Sequence, residues 1–167
     1  MIQRRRIWAA AALVFAIPVS LVLLAGGKAV GPEAIRFGRD ACDRCHMLLA
    51  SGGFAGERRG KDGALHKYDD VGCLLLALGA AHEETTQAWV EDHAGTGFVP
   101  LMEATLVRSS SKPTPMGYGI VAFRNPTEAS RFVSQNGGQI ASLEELLRAG
   151  PRVLRSTQVP HAEEDHR

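Results

Sequence analysis

An uncharged apolar run near the start constrains this chain more than any other feature. Residues 4 to 6 are Arg-Arg-Arg, and the run from Ile7 to Ala25 that follows them is 19 residues long. A helix needs roughly 20 apolar residues to cross the hydrocarbon of a bilayer. Pro18 would kink such a helix without excluding it from a membrane. The arginines ahead of the run place the N-terminus in the cytoplasm, so the rest of the chain is expected outside, in the periplasm of a Gram-negative host. The competing reading is a cleaved signal peptide, whose apolar core is usually about 7–15 residues. Ala25-Gly26-Gly27 is only a loose match to a cleavage site. The expected organisation is therefore a transmembrane anchor over residues 1–26 in the inner membrane and a linker over 27–38. A folded domain over 39–150 and a disordered tail over 151–167 complete it.

Composition narrows the function. Lys and Arg number 19 against 18 Asp and Glu, a net charge of +1, without the basic stripe of a nucleic-acid binder. Three cysteines are too few for a disulfide framework, and the odd number leaves at least one thiol over. The chain has no glycine-rich phosphate loop, nucleophile elbow or H-E-x-x-H motif, which argues for binding and transfer and against an enzyme.

Turn and cap signals outline the exported part. Phe54 to Arg59, a Lys61-Asp62-Gly63 turn and Ala64 to Tyr68 read as a hairpin. Asp69-Asp70 stands at a helix N-cap, ahead of the apolar run Val71 to Leu78 that Gly79 is expected to stop. Strands are expected over Gln87 to Asp92, Phe98 to Val107 and Tyr118 to Phe123, with a polar loop from Ser109 to Pro115. Asn125-Pro126-Thr127-Glu128 opens a helix running to Ser134, and Ser142 with Glu145 opens a last one to Arg148. The class is α+β, a β-β-α unit used twice.

Residues 42 to 47, Cys-Asp-Arg-Cys-His-Met, place four possible metal ligands within six positions. With His66, Cys73 and Met116 they form a soft donor set with some imidazole that favours Cu(I) over oxygen-seeking ions. Three readings compete. Cys42-Asp43-Arg44-Cys45-His46 matches the C-x-x-C-H motif of covalent haem, with His46 as proximal ligand. The pair could instead close as a disulfide, inert or redox-active. The third reading is a copper carrier.

The third reading carries a family resemblance. Cys42-x-x-Cys45-x-Met47, Tyr68-Asp69-Asp70-Val71-Gly72-Cys73, Trp89-Val90-Glu91-Asp92, Pro115-Met116-Gly117 with Val121-Ala122-Phe123, and Gly137-Gly138 come in one order. From about Arg39 to Arg148 the chain resembles the NosL family, copper-delivery proteins that accompany nitrous oxide reductase. The resemblance implies a pair of β-β-α-β units, related to the fold of organomercurial lyase. It also implies a Cu(I) chaperone that passes its ion toward a copper enzyme, by way of an ABC-transporter complex with a periplasmic component. Mapped onto this chain, the ligands it favours are Cys45, Met47 and Met116, with Cys42, Cys73 and His46 as further candidates. Cys42 could alternatively pair with Cys73 or Cys45, and Cys73 reads equally as a small core residue.

Two departures stand out. Family members are commonly lipoproteins, whereas here an apolar anchor takes the place of a lipidated cysteine. They also commonly carry glycine between the second cysteine and the methionine; here His46 stands there, as an added nitrogen ligand or as a polar residue on an exposed turn. Asp69 and Asp70 read as a helix cap. His66, His82 and His93 read as surface residues, and Trp89 and Phe123 as core aromatics.

Overall fold

Gly56 to Arg59 and Leu65 to Tyr68 pair across the expected turn, where the Ala64 amide donates to Asp62 Oδ1 at 2.9 Å. In the computed structural model, which describes residues 31–81, 84–95 and 97–155, this hairpin is β1 (Gly56–Gly60) and β2 (Leu65–Tyr68). Helix α1 (Val71–Ala81) follows, then β3 (Thr85–Glu91) and β4 (Phe98–Pro100). A short 3-10 turn at Leu101–Glu103 leads to β5 (Thr105–Arg108) and β6 (Ile120–Phe123). Helix α2 (Pro126–Asn136), β7 (Gln139–Ala141) and α3 (Leu143–Arg155) complete the order. The apolar run Ile7–Ala25, His82 and residues 156–167 lie outside the described residues. Among the described residues no helix is long and apolar enough to cross a membrane.

The α+β class is met by two antiparallel sheets with helices. The sheet orders are β2-β1-β3-β4 and β6-β5-β7. Both are built the same way: a hairpin, a helix, then a strand that returns beside the hairpin's first strand.

Strand β6 shows how the layers share a core. All four of its residues are buried, and alternate side chains point to opposite faces. Ile120 and Ala122 join the cluster of Val71, Leu74, Leu75 and Leu78 from α1, Val90 from β3 and Leu146 from α3. Val121 and Phe123 join Ala129 and Phe132 of α2. Cys42 and Cys73 belong to the first cluster, so the sulfur chemistry sits at the edge of the main core. Trp89 and Phe123 are core aromatics, as expected.

Several expectations are corrected. The strand read from Phe98 to Val107 is two strands in different sheets, because Pro100 has no N–H to continue a ladder and the chain turns there. Gly79 does not stop α1, which runs on through Ala80 and Ala81; one helical glycine costs only about 1 kcal/mol against alanine. The last helix continues beyond Arg148 to Arg155. His93 is no surface residue: its ring centroid lies 5.1 Å from that of Phe54, 5.7 Å from Phe123 and 5.5 Å from Phe132. Burial lowers its pKa below the usual histidine value, which suits a neutral ring whose Nδ1 is 3.0 Å from the Gly53 carbonyl.

Candidate metal centre

The Cys42–Met47 segment folds back on itself as a tight loop. Ala41 and Leu48 form an isolated bridge, the Cys42 amide donates to the Met47 carbonyl at 2.8 Å, and the His46 amide donates to the Cys42 carbonyl at 2.8 Å. Reversal needs one residue in the left-handed region, and His46 takes it with φ 62°. This is the position where the resemblance leads one to expect glycine, and left-handed backbone is the physical reason glycine suits it.

The loop is fastened on both flanks. The Asp43 amide donates to the Lys67 carbonyl at 2.9 Å, and Asp43 Oδ2 accepts the Lys67 amide at 3.1 Å. The same oxygen lies 3.1 Å from His66 Nδ1, so His66 braces the loop from β2. Upstream, buried Asp40 takes the Lys67 ammonium at 2.8 Å and the Arg36 guanidinium at 2.8 Å. Downstream, buried Leu49 packs in the core and Asp69 Oδ1 accepts the Ala50 amide at 3.1 Å.

Cys73 arrives from the other direction, in the first turn of α1. Asp70 Oδ1 accepts the Gly72 amide at 2.7 Å and so caps the helix; of the aspartate pair expected to cap it, Asp69 instead holds the Ala50 amide. Gly72 is required by close packing, since a Cβ there would lie 2.2 Å from the Tyr118 ring. The helix can therefore seat tightly, with Cys73 pointing into the core beside the loop.

The outcome is a three-sulfur cluster. The sulfurs of Cys42, Cys45 and Cys73 all lie within 4.8 Å of one another. With metal–sulfur bonds of about 2.3 Å, two sulfurs on one ion sit at most about 4.6 Å apart, so small side-chain rotations suffice to close the set on one ion. Cys42 and Cys73 are buried and Cys45 is half-buried, which gives the cluster a closed floor and an accessible rim. All three are free thiols.

Hydrogen bonding sorts the protons within the cluster. The Cys73 thiol donates to Cys42, and backbone amides of Cys45, Asp69 and Arg44 add to it, so the Cys42 pKa is held well below the ordinary thiol range. The same hydrogen bond, with burial, pushes Cys73 up. Burial also raises Cys45.

A family model for NosL matches residues 36–150, well over half of the chain. The chain belongs to the NosL family. Its structure also resembles the crystal structure of the copper chaperone NosL from Shewanella denitrificans, with 22% sequence identity and a TM-score of 0.62. The match covers 69% of this chain and 94% of that one, and the likeness is one of fold. No curated protein matches the sequence.

Of the six ligand candidates, this NosL-family domain brings the three cysteines into one group. Met116 lies on the Ser109–Gly119 loop, half-buried against the core cluster that holds Cys42 and Cys73. Met47 is 55% exposed and His46 is exposed; both follow Cys45 on the same loop. His46 is not in the converging group. The arrangement does not suit haem. A thioether bond to a porphyrin needs a thiol at an open face, whereas Cys42 is 0% exposed and its sulfur lies within 4.8 Å of the Cys73 sulfur.

Cys73, which the sequence reads equally as a ligand and as a core residue, is both buried and within the three-sulfur group. The Asp43–His66 brace and the reach of Asp70 beyond its helix were not read from sequence. Both depend on pairings over 23 residues or more, for which local motifs carry no signal.

Proposed function

We propose that this NosL-family protein is a Cu(I) carrier, a binding and transfer protein and not an enzyme. The observation that carries the reading is the set of three sulfurs within 4.8 Å of one another, closed at the bottom by buried Cys42 and Cys73 and half-open at Cys45. Thiolate and thioether donors select Cu(I), and three of them satisfy it. A structural zinc site would call for a fourth strong ligand. Met116 beside the core and the exposed Met47 supply weaker sulfurs through which the ion can pass by ligand exchange.

We propose the delivery route that the family resemblance implies. The carrier serves the maturation of a copper enzyme, nitrous oxide reductase, either directly or through an ABC-transporter complex with a periplasmic component. The apolar run Ile7–Ala25 tethers it to the inner membrane with the domain in the periplasm, beyond a linker over 27–38 and ahead of a tail that ends at Arg167. Its partners are then a soft metal ion, the membrane and exported proteins, with no part for nucleic acid. Kinship with the organomercurial lyase fold fits the doubled strand–strand–helix–strand order.

Anaerobic Cu(I) titration against a competing chelator tests this reading. One ion per chain should bind tightly, and Cys45→Ser or Cys73→Ser should weaken binding by at least about tenfold, since loss of even an outer-shell partner of a metal ligand costs that much. Full affinity in both variants would contradict it. So would a haem-type visible band that survives denaturation, in protein made by cells that mature c-type cytochromes.

A further inference from the structure

Asp70 reaches well beyond its helix. Its carboxylate is fully buried and both oxygens are engaged. Oδ1 accepts the Gly72 amide at 2.7 Å; Oδ2 accepts the Thr114 hydroxyl at 2.6 Å and the Met116 amide at 2.9 Å. Thr114 Oγ1 in turn accepts the Gly119 amide at 3.1 Å. The Met116 loop is also closed on itself, with the Ser109 amide donating to the Gly119 carbonyl at 2.8 Å and the Gly117 amide to the Thr114 carbonyl at 2.9 Å. One carboxylate therefore joins the amide beside Cys73 to the amide of Met116. Cys45 and Met116 are both half-buried residues packed on the core that contains Cys42 and Cys73.

We propose that Asp70, with Thr114, is a positioning pair that holds Met116 against the three-cysteine cluster as a fourth, exchangeable sulfur donor to Cu(I). The inference rests on the carrier reading above and assigns the clamp that reading lacks. A buried carboxylate suits the task because it accepts from several donors at once. Asparagine offers one acceptor oxygen and an NH₂ group, so its NH₂ would face an amide N–H on one side. Asp70→Asn must then release either the Gly72 or the Met116 tie. Thr114→Val removes only the hydroxyl link and leaves the charge in place.

Cu(I) affinity of the full chain, measured anaerobically by chelator competition, separates positioning from mere stability. The variants are Met116→Ala, Thr114→Val, Asp70→Asn and the two double variants with Met116→Ala, each checked for folding by circular dichroism. We expect Met116→Ala to weaken binding about tenfold and Thr114→Val severalfold, the order of one ordinary net hydrogen bond. In the Met116→Ala background, neither Thr114→Val nor Asp70→Asn should cost anything further. X-ray absorption should show one sulfur fewer around copper in Met116→Ala. If Asp70→Asn fails to fold, Thr114→Val carries the test. Equal losses with and without Met116 would overturn the proposal, showing that charge or general stability is at work. So would full affinity in Met116→Ala, which leaves a three-cysteine carrier standing. Absence of Cu(I) binding in the unmutated chain would overturn the carrier reading itself.

Discussion

At His46 the backbone takes φ 62°, a conformation that costs a residue with a Cβ roughly 1–2 kcal/mol. The cost is accepted because the turn sets Cys42 and Cys45 facing the same way. His46→Gly should therefore stabilise the domain by about 1 kcal/mol, read as a rise in the denaturation midpoint. If the exposed imidazole is no ligand, Cu(I) affinity stays unchanged in that variant. A fall in affinity would make His46 a ligand after all. The residue types of the site were legible in the sequence: Cys42, Cys45 and Cys73 stand out in any reading of 167 residues with three thiols. What could not be read was their convergence. It depends on α1 seating against Tyr118 at Gly72 and on Asp43 pairing with β2, neither of which leaves a local pattern.

Among the elements, those with their own chemical punctuation were legible. Asn125 caps α2 by accepting the Thr127 amide at 2.9 Å, with Pro126 in the first turn. Ser142 and Glu145 form a reciprocal capping box at α3, through bonds of 2.8 and 3.2 Å. Asn125→Ala should cost about 1 kcal/mol, measurable by thermal or chemical denaturation, while Cu(I) affinity stays unchanged. Elements that owe their existence to a neighbour were not legible. Strand β7 is three residues long and forms only because β5 offers an edge, pairing Leu106 with Ala141. The division between β4 and β5 is likewise tertiary: Val90 pairs with Val99 in one sheet and Leu106 with Ala122 in the other.

Across the whole molecule, the most consequential buried charge outside the site is Glu57, which is 0% exposed. Its Oε2 accepts the Glu33 amide at 2.9 Å. Oε1 has no hydrogen-bond donor among the described residues, and the Lys67 ammonium stands 4.0 Å away. Burial pushes the carboxyl up to about 6, above its value in the unfolded chain. A raised folded-state pKa means that the native form holds the proton more tightly, so stability falls as pH rises from about 4.5 to about 6. Glu57→Gln should remove that fall and stabilise the domain at pH 7 by about 2 kcal/mol, as seen by thermal unfolding at pH 5 and pH 7. A larger fall with pH in the variant would contradict the assignment. Asp40 works in the opposite sense. Lys67, with Arg36, lowers its pKa, so its contribution is lost only in acid.

The central claim is that three cysteines from two separate segments hold one soft metal ion. X-ray absorption of the full chain loaded anaerobically with one equivalent of Cu(I) tests it most directly. Copper should be surrounded by at least three sulfurs, with the count falling by one in Cys73→Ser. A shell of two sulfurs that Cys73→Ser leaves unchanged would show that Cys73 is a core residue and that the cluster does not act as a unit.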